Sequence, residues 1–445
     1  MNNAVKERYL LKVNVVLSSP LTISAGTDNL TDNDIIRDFD GTPIVPGTSI
    51  AGAMRDYCGY TLQDKCYFGY EKIMQKENED DGKMSSYFIS DLEFSKITDV
   101  GVRDSVALSD EKIAVSGAKF DHEILEKGSE GSFYIEIVVR ENENSEDVLV
   151  DVKHALYGID HGDIRFGMKK TRGLGKMEIR SIYSIFINKD NAKDWFTAYE
   201  DIDKKADVDN QKNEWILEEN KRFVTLEVPL GLTGGISIRT YQAKKYEPDF
   251  KHIESNGNPV MPGTSIAGAI RSRVKEFLIE LEFKNVQDII DIMFGYVLQT
   301  GSKNKKSGKQ LQKSAQRSNI VVDEVDLKGS HAITMVRNGI SRFEGSARDK
   351  ALFKEKTYVG GKTKLMISVR KDENACEDYK WQIGLLLLAI KDLQRGYLAI
   401  GGATAVGRGI FEKDGKVLID GIELTDKQKK MYYKAIVDLK GRQEL

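Results

Sequence analysis

The sequence predicts an α+β protein built from two tandem copies of one module. Three observations carry that prediction: a motif that occurs twice, landmarks that follow it in the same order, and strand-like alternation around helical stretches. Residues 45–55 read VPGTSIAGAMR and residues 261–271 read MPGTSIAGAIR, identical at nine of eleven positions and 216 residues apart. Phe68-Gly69 is answered by Phe294-Gly295, Ser86 to Asp91 by Ser318 to Asp323, Val102-Arg103 by Val336-Arg337, and Ser116-Gly117-Ala118 by Gly345-Ser346-Ala347. Gly167 and Gly173-Leu174-Gly175 return as Gly401 and Gly407-Arg408-Gly409, now 234 residues apart, so the second half has gained residues, mostly before Ser318. The expected organisation is a first module over 1–186, a charged linker or helical arm over 187–221, and a second module over 222–445.

The elements follow in order within each half. Leu10 to Leu17 and Phe223 to Val228 alternate apolar and polar residues and open the halves as half-buried strands. The PGTS turns lead into helices beginning near Ser49 and Ser265, with Thr48 or Ser49 expected as N-cap and with Gly52 and Ala53 expected to permit close packing. Phe133 to Val139 and Lys364 to Val369 read as further strands, and Leu385 to Leu393 as an apolar helix. Antiparallel strands with helices between them predict a split βαβ, ferredoxin-like sandwich, the layout also used by RRM domains. Lys76 to Asp81 and Glu141 to Asp147 read as solvated loops.

Composition sets bounds. The 445 residues suit two or three domains, and 40% hydrophobic with 30% charged residues describe a globular chain. The longest apolar run, Ile383 to Ile390, is too short to cross a bilayer, and Lys6, Glu7 and Arg8 near the start argue against a signal peptide. Three cysteines (Cys58, Cys66 and Cys376) without a CxxC pair predict free thiols and a reducing, cytoplasmic location. A net charge of −3 excludes a uniformly basic coat but allows a local basic groove.

Two motifs give the sequence its resemblance to the RAMP superfamily of CRISPR systems. The first half supplies Ile36-Arg37-Asp38, then Pro43, Ile44, Val45, Pro46, Gly47, Thr48 and Ser49, and a glycine loop over Thr171 to Lys176. The second half keeps Pro259, Val260, Met261, Pro262, Gly263, Thr264 and Ser265, while in ungapped register Arg37-Asp38 becomes Ile253-Glu254. The chain most resembles the type III backbone subunit, and its duplication resembles the tandem backbone proteins of the III-D and related subtypes. The resemblance implies guide CRISPR RNA, target RNA and other type III effector subunits as partners, and no membrane. It also implies a protruding hairpin, or thumb, over Arg103 to Glu123 and Arg337 to Glu355, with Phe120, Phe343 and Phe353 as candidate wedges between bases.

Several residues then become candidates for RNA contact. A PGTS turn feeding a helix points backbone N–H groups and a positive dipole end at one place, which suits a phosphate, though capping and tight packing would explain the motif alone. Thr48, Ser49 and Arg55, with Thr264, Ser265 and Arg271, are therefore expected to touch the RNA backbone. Glycine loops allow close main-chain approach, which adds Gly173, Gly175, Gly407 and Gly409, together with Lys169, Lys170, Arg172, Lys176 and Arg408. Ser302 to Arg317 is basic without an acid, and Lys305 and Lys306 in it are candidate electrostatic contacts.

The resemblance further implies cleavage by a loop aspartate with a divalent metal ion, Mg2+ or Mn2+. Ungapped register puts that aspartate at Asp32, which would also be the metal ligand, with Asp34 as a near competitor. In the second half the register lands on Pro248, and Asp249 beside it is the candidate. Three functions stay open: a target-cleaving backbone subunit, a non-catalytic RNA-binding scaffold of the same complex, and a guide-processing endonuclease. The last usually relies on a histidine near the first helix, and Met54-Arg55-Asp56-Tyr57 offers none.

Overall fold

The computed structural model describes residues 4–24, 31–59, 67–69, 82–109, 113–204, 210–217, 221–241, 247–296, 315–371 and 379–444. It divides into two compact units, one of residues 1–105, 119–170 and 174–220, the other of residues 106–118, 171–173 and 221–445. Lys305 and Lys306, Cys66 and Cys376, and Lys76 to Asp81 lie outside the described residues.

The first half of the chain runs β1 (Val5–Leu17), β2 (Ile44–Val45), α1 (Gly47–Cys58), β3 (Tyr87–Ile89), β4 (Leu92–Lys96), β5 (Val100–Leu108), β6 (Ala114–Leu125), β7 (Glu130–Arg140), α2 (Ser145–His161) and β8 (Met177–Ile187), all in the first unit except residues 106–108 of β5 and 114–118 of β6. Its sheet is ordered β2-β4-β7-β1-β8, with β3 also on β7, and β5 and β6 form a separate two-stranded sheet. β1 pairs antiparallel with both β7 and β8. The order is that of a ferredoxin-like βαββαβ sandwich, with the β5–β6 hairpin inserted between its second and third principal strands. Alternation in β1 places Leu11, Val13, Val15 and Leu17 in one core with Ile50 and Met54 of α1 and Val152 and Leu156 of α2. The 141–147 segment, expected to be a loop, ends as the first turn of α2, which Asn144 caps by accepting the Glu146 N–H at 2.9 Å.

The stretch expected to be a linker or arm is an arm on the first unit. It contains α3 (Ala198–Asp203) and α4 (Lys212–Trp215). Ala198 and Ile202 are buried with Leu10, Tyr183 and Ile187, on the side of β1 opposite the main core. Asp203 accepts from Lys12 at 2.8 Å, the Arg8 guanidinium lies over the Trp195 ring, and Trp215 joins the main core.

The second unit opens with β9 (Phe223–Thr233), β10 (Gly235–Ile236), β11 (Arg239–Tyr241), β12 (Phe250–His252), β13 (Glu254–Ser255), β14 (Asn258–Met261), α5 (Gly263–Glu280) and α6 (Val286–Phe294). It continues with β15 (Ile320–Val322), β16 (Val325–Asp326), β17 (His331–Ile340), β18 (Ala347–Val359), β19 (Lys362–Arg370), α7 (Tyr379–Leu393), β20 (Ile410–Lys413), β21 (Leu418–Ile419), β22 (Ile422–Glu423) and α8 (Asp426–Glu444). The main sheet, β15-β19-β9-β21 with β20 also on β9, repeats the strand order of the first unit. β17 and β18 form the corresponding long hairpin. The apolar run in α7 is buried, and α8 packs against it through Tyr432 and Ile436. Gly384 makes that approach possible, since a Cβ there would lie 2.5 Å from the Tyr432 carbonyl.

Two expectations about the PGTS helices need correction. Neither Thr48 nor Ser49 is the N-cap: α1 begins at Gly47 behind Pro46 and α5 at Gly263 behind Pro262, with no side-chain cap bond at either. Proline with its fixed φ precedes the first turn, and its carbonyl accepts the N–H of Ser49 at 2.8 Å and of Ser265 at 3.0 Å. The residue needed for close packing is the motif's first glycine. A Cβ at Gly47 would lie 2.3 Å from the Ile89 carbonyl and one at Gly263 2.2 Å from that of Val322, whereas Gly52 and Gly268 face open space.

Candidate functional site

The loop ahead of β2 lies along β6. Asp32 Oδ2 accepts the Asp121 N–H at 3.0 Å, and Asp121 Oδ1 accepts the Asp32 N–H at 2.9 Å. In the second unit Asp249 Oδ2 accepts the Lys354 N–H at 2.7 Å. The surrounding main chain shows that these contacts match. Leu21 bridges Leu125 where Ile236 pairs with Tyr358, and Ser24 bridges Ile35 where Arg239 pairs with His252. The Ile36 N–H donates to Ile23 O as the Ile253 N–H donates to Ile238 O, both at 2.9 Å.

The ungapped register is therefore one residue out in this loop: Asp249, and not Pro248, stands where Asp32 stands. Asp34 then matches Lys251. Its carboxylate is taken up within its own loop, accepting the N–H and hydroxyl of Thr31 at 3.0 and 2.6 Å. Asp32 and Asp249 are both exposed.

The same shift changes the reading of Arg37-Asp38. Ile253 replaces Ile36, and Glu254 replaces Arg37. Arg37 pairs with Glu123, and at the matched place Glu254 pairs with Lys356 at 3.0 Å, with Lys251 adding a second contact at 2.7 Å. The ion pair persists with its charges exchanged.

Around the PGTS helices, Thr48 and Thr264 are exposed, Ser49 and Ser265 half-buried, Arg55 half-buried and Arg271 exposed. Thr48, Gly52 and Arg55 fall at i, i+4 and i+7, so they line one face of α1, and Thr264, Gly268 and Arg271 repeat that face on α5. At the first helix end the Gly47 N–H donates to Asp91 Oδ1 at 2.6 Å. An internal carboxylate thus already holds the first N–H of that terminus.

The glycine loops have matching backbones. Positive φ occurs at Gly167, Lys169, Gly173 and Gly175, and again at Gly401, Ala403, Gly407 and Gly409. A Cβ at Gly175 would lie 1.9 Å from Phe166 O, and one at Gly409 equally near Ile400 O. These glycines allow close approach, but to the module's own chain. Gly407 faces open space.

The basic residues of the loops divide. Lys170 is exposed and Arg172 half-buried. The stem of Lys176 lies against Gly162. The Lys169 ammonium is engaged at the root of the β5–β6 hairpin. It bonds Ser105 Oγ at 2.8 Å and the His122 ring at 3.2 Å, and stands over the Phe120 ring. Burial and the nearby Arg103 push Lys169 down to about 8. Burial, then Lys169 and Arg103, push His122 down to about 4.

Arg408, expected to face RNA, is instead buried. It donates to Thr357 Oγ1 at 2.9 Å and pairs at 3.5 Å with Glu355, which is itself fully buried. His252, near the second aspartate, is also internal. Its Nδ1 accepts the Ile238 N–H at 3.0 Å and its Nε2 lies 3.1 Å from Val260 O, which fixes the proton on Nε2. Burial pushes it down to about 4.

The hairpins differ in what they expose. Phe343 is fully exposed at the β17–β18 turn and Phe120 partly exposed, whereas the Phe353 ring packs edge-on against Phe250.

No group of three or more His, Cys, Asp or Glu side chains able to hold a metal occurs among the described residues. At the first site, Asp32 and Asp121 provide two neighbouring carboxylates. That donor set fits Mg2+ or Mn2+, which need few protein oxygens and keep several waters. No described helix is long and apolar enough to cross a membrane.

A family model described as the RAMP superfamily matches residues 14–178 and 245–412. No curated protein matches the chain. The two matched regions each contain a loop aspartate, a PGTS turn and a glycine loop, and together they cover most of the chain: it belongs to the RAMP superfamily of CRISPR-associated RNA-binding proteins.

Proposed function

We propose that this protein is a backbone subunit of a type III CRISPR interference complex, holding guide RNA with both modules and cleaving complementary target RNA beside Asp32 and Asp249. The observation that carries the cleavage reading is the matched hydrogen bond, from the Asp121 N–H to Asp32 and from the Lys354 N–H to Asp249. A main-chain donor holds an exposed carboxylate in the same pose in each module, while Asp34 has no acidic counterpart.

The reaction is in-line attack of a ribose 2′-oxygen on the adjacent phosphorus. The 2′-OH loses its proton, the new P–O bond forms, the P–O5′ bond breaks, and O5′ takes up a proton. The products carry a 2′,3′-cyclic phosphate and a 5′-hydroxyl. Each aspartate acts as the base for the 2′-OH, and alignment of the nucleotide contributes much of the rate. A divalent ion, when bound at Asp32 with Asp121, supplies positive charge for the phosphate oxygens.

RNA holding rests on the exposed Thr-Gly-Arg faces of α1 and α5 and on Lys170, with Gly407 open to a backbone. Arg408 and Lys169 act from inside, tying each glycine loop to β18 or β6. Contacts of this kind grip phosphate and shape without reading sequence.

In the assembled complex with an end-labelled target, Asp32→Ala removes one cut and Asp249→Ala another, each at least a hundredfold, with guide binding unchanged. Both cuts surviving in the double variant would leave the scaffold reading in place of this one.

A further inference from the structure

The matched register allows the surroundings of the two aspartates to be compared position by position. At 32, 34, 37, 121 and 123 the first site carries Asp, Asp, Arg, Asp and Glu. At 249, 251, 254, 354 and 356 the second carries Asp, Lys, Glu, Lys and Lys. Three net negative charges face one net positive charge. The residue donating its N–H to the aspartate changes from acid to base, Asp121 to Lys354.

The remaining contacts decide which charges can act on a substrate. Glu123 is occupied by Arg37 and by the Ile35 N–H at 3.1 Å. Lys251 and Lys356 are both held by Glu254. Asp121 and Lys354 remain as the groups nearest each aspartate in register. Lys354 is half-buried and enters no ion pair among the described residues.

From this exchange we infer that the two sites meet the negative charge of the reacting phosphate in opposite ways. This rests on the cleavage reading above. At the first site the paired carboxylates repel a phosphate until a divalent ion lies between them and the RNA. At the second, the Lys354 ammonium provides that charge itself, so the cut beside Asp249 depends less on the ion. Opposite charges at contact distance attract far more strongly near a protein surface than in bulk water, so one ammonium can replace much of an ion's effect. The side chain at 354 can vary without moving Asp249, because the bond that holds it comes from the main chain, whereas at 121 the main-chain bond is joined by the bond from the Asp32 N–H to the Asp121 carboxylate.

The test uses the assembled complex and a labelled target, with the two cuts followed separately as Mg2+ is removed by chelation. The first cut is expected to fall at least a hundredfold and the second tenfold or less. Lys354→Asp should bring the second cut to the dependence of the first, and Lys354→Arg should leave it as it was. A readout independent of turnover is Mn2+ binding followed by electron paramagnetic resonance, on the complex holding a target with 2′-deoxy nucleotides at the cut positions. One ion is expected beside the first site, lost in Asp121→Lys, and a second gained in Lys354→Asp.

Parallel loss of both cuts on chelation, or Mn2+ counts unchanged by these substitutions, would overturn the inference. Failure of the cleavage reading looks different: the cuts then persist in Asp32→Ala and Asp249→Ala.

Discussion

In ungapped register the motif arginine looked lost to Ile253, yet Glu254 is the residue at its place and is one half of an exchanged ion pair whose other half is Lys356, about a hundred residues along the chain. No local pattern announces such a partner, so sequence alone could not distinguish decay from compensation. The place of Asp32 in the loop ahead of the motif strand could be read from the motif itself. The matching position in the second half could be read only to within one residue, because the hairpin between β13 and β14 is one residue shorter than its counterpart. Arg408 was misread as a surface cation for a related reason: its partner Glu355 lies on a strand distant in sequence. Burial of His122 and His252 leads to a prediction at this scale. Both imidazoles have folded values near 4, below the unfolded 6.5. Between those values the unfolded chain binds more protons, so stability falls as the pH drops through that window, by up to ~1.4 kcal/mol per pH unit for each His. Urea unfolding at pH 7, 6 and 5 should show the loss, and His122→Gln should remove the first module's share of the slope.

The strands and helices of both modules follow from alternation in β1, β7, β9 and β19 and from the apolar faces of α1, α5 and α7. The arm and α8 were harder to read. Residues 187–217 carry few apolar side chains in a charged stretch, and beyond β8 the buried ones are a single pair at helical spacing, Ala198 and Ile202, with Trp215 far along the chain from them. Helix α8 follows the last matched landmark, so comparing the halves is silent about it; its inward face is Tyr432 and Ile436, four residues apart, with Tyr433, Ala435 and Leu439 partly buried beside them. If the arm is a fixed part of the first module, Ile202→Ala should destabilise that module by ~2–4 kcal/mol through a cavity beside Leu10 and Tyr183. Calorimetry of the full chain checks this, and an unchanged transition would mean that the arm adds no stability.

For the whole molecule, duplication was the most readable feature, because two copies reveal which positions a fold keeps. Both keep the exposed Thr-Gly-Arg helix face, and its two arginines bear on RNA affinity. Arg55→Ala and Arg271→Ala should each weaken guide binding for any guide sequence, and each should lower the slope of log affinity against log salt by ~0.7 to 1. Filter binding at several potassium concentrations measures both effects, and an unaltered slope would remove the arginines from the interface. The bond to each aspartate has a wider consequence. Its donor is a peptide N–H, which every residue except proline possesses, so drift at 354 carries no penalty in geometry, and drift at 121 keeps that bond while giving up the one from the Asp32 N–H to the Asp121 carboxylate. Such a chain is an evolvable pair of tools. One copy can keep an old chemistry while the other samples side chains, and an engineer can retune either site by a single codon without rebuilding it.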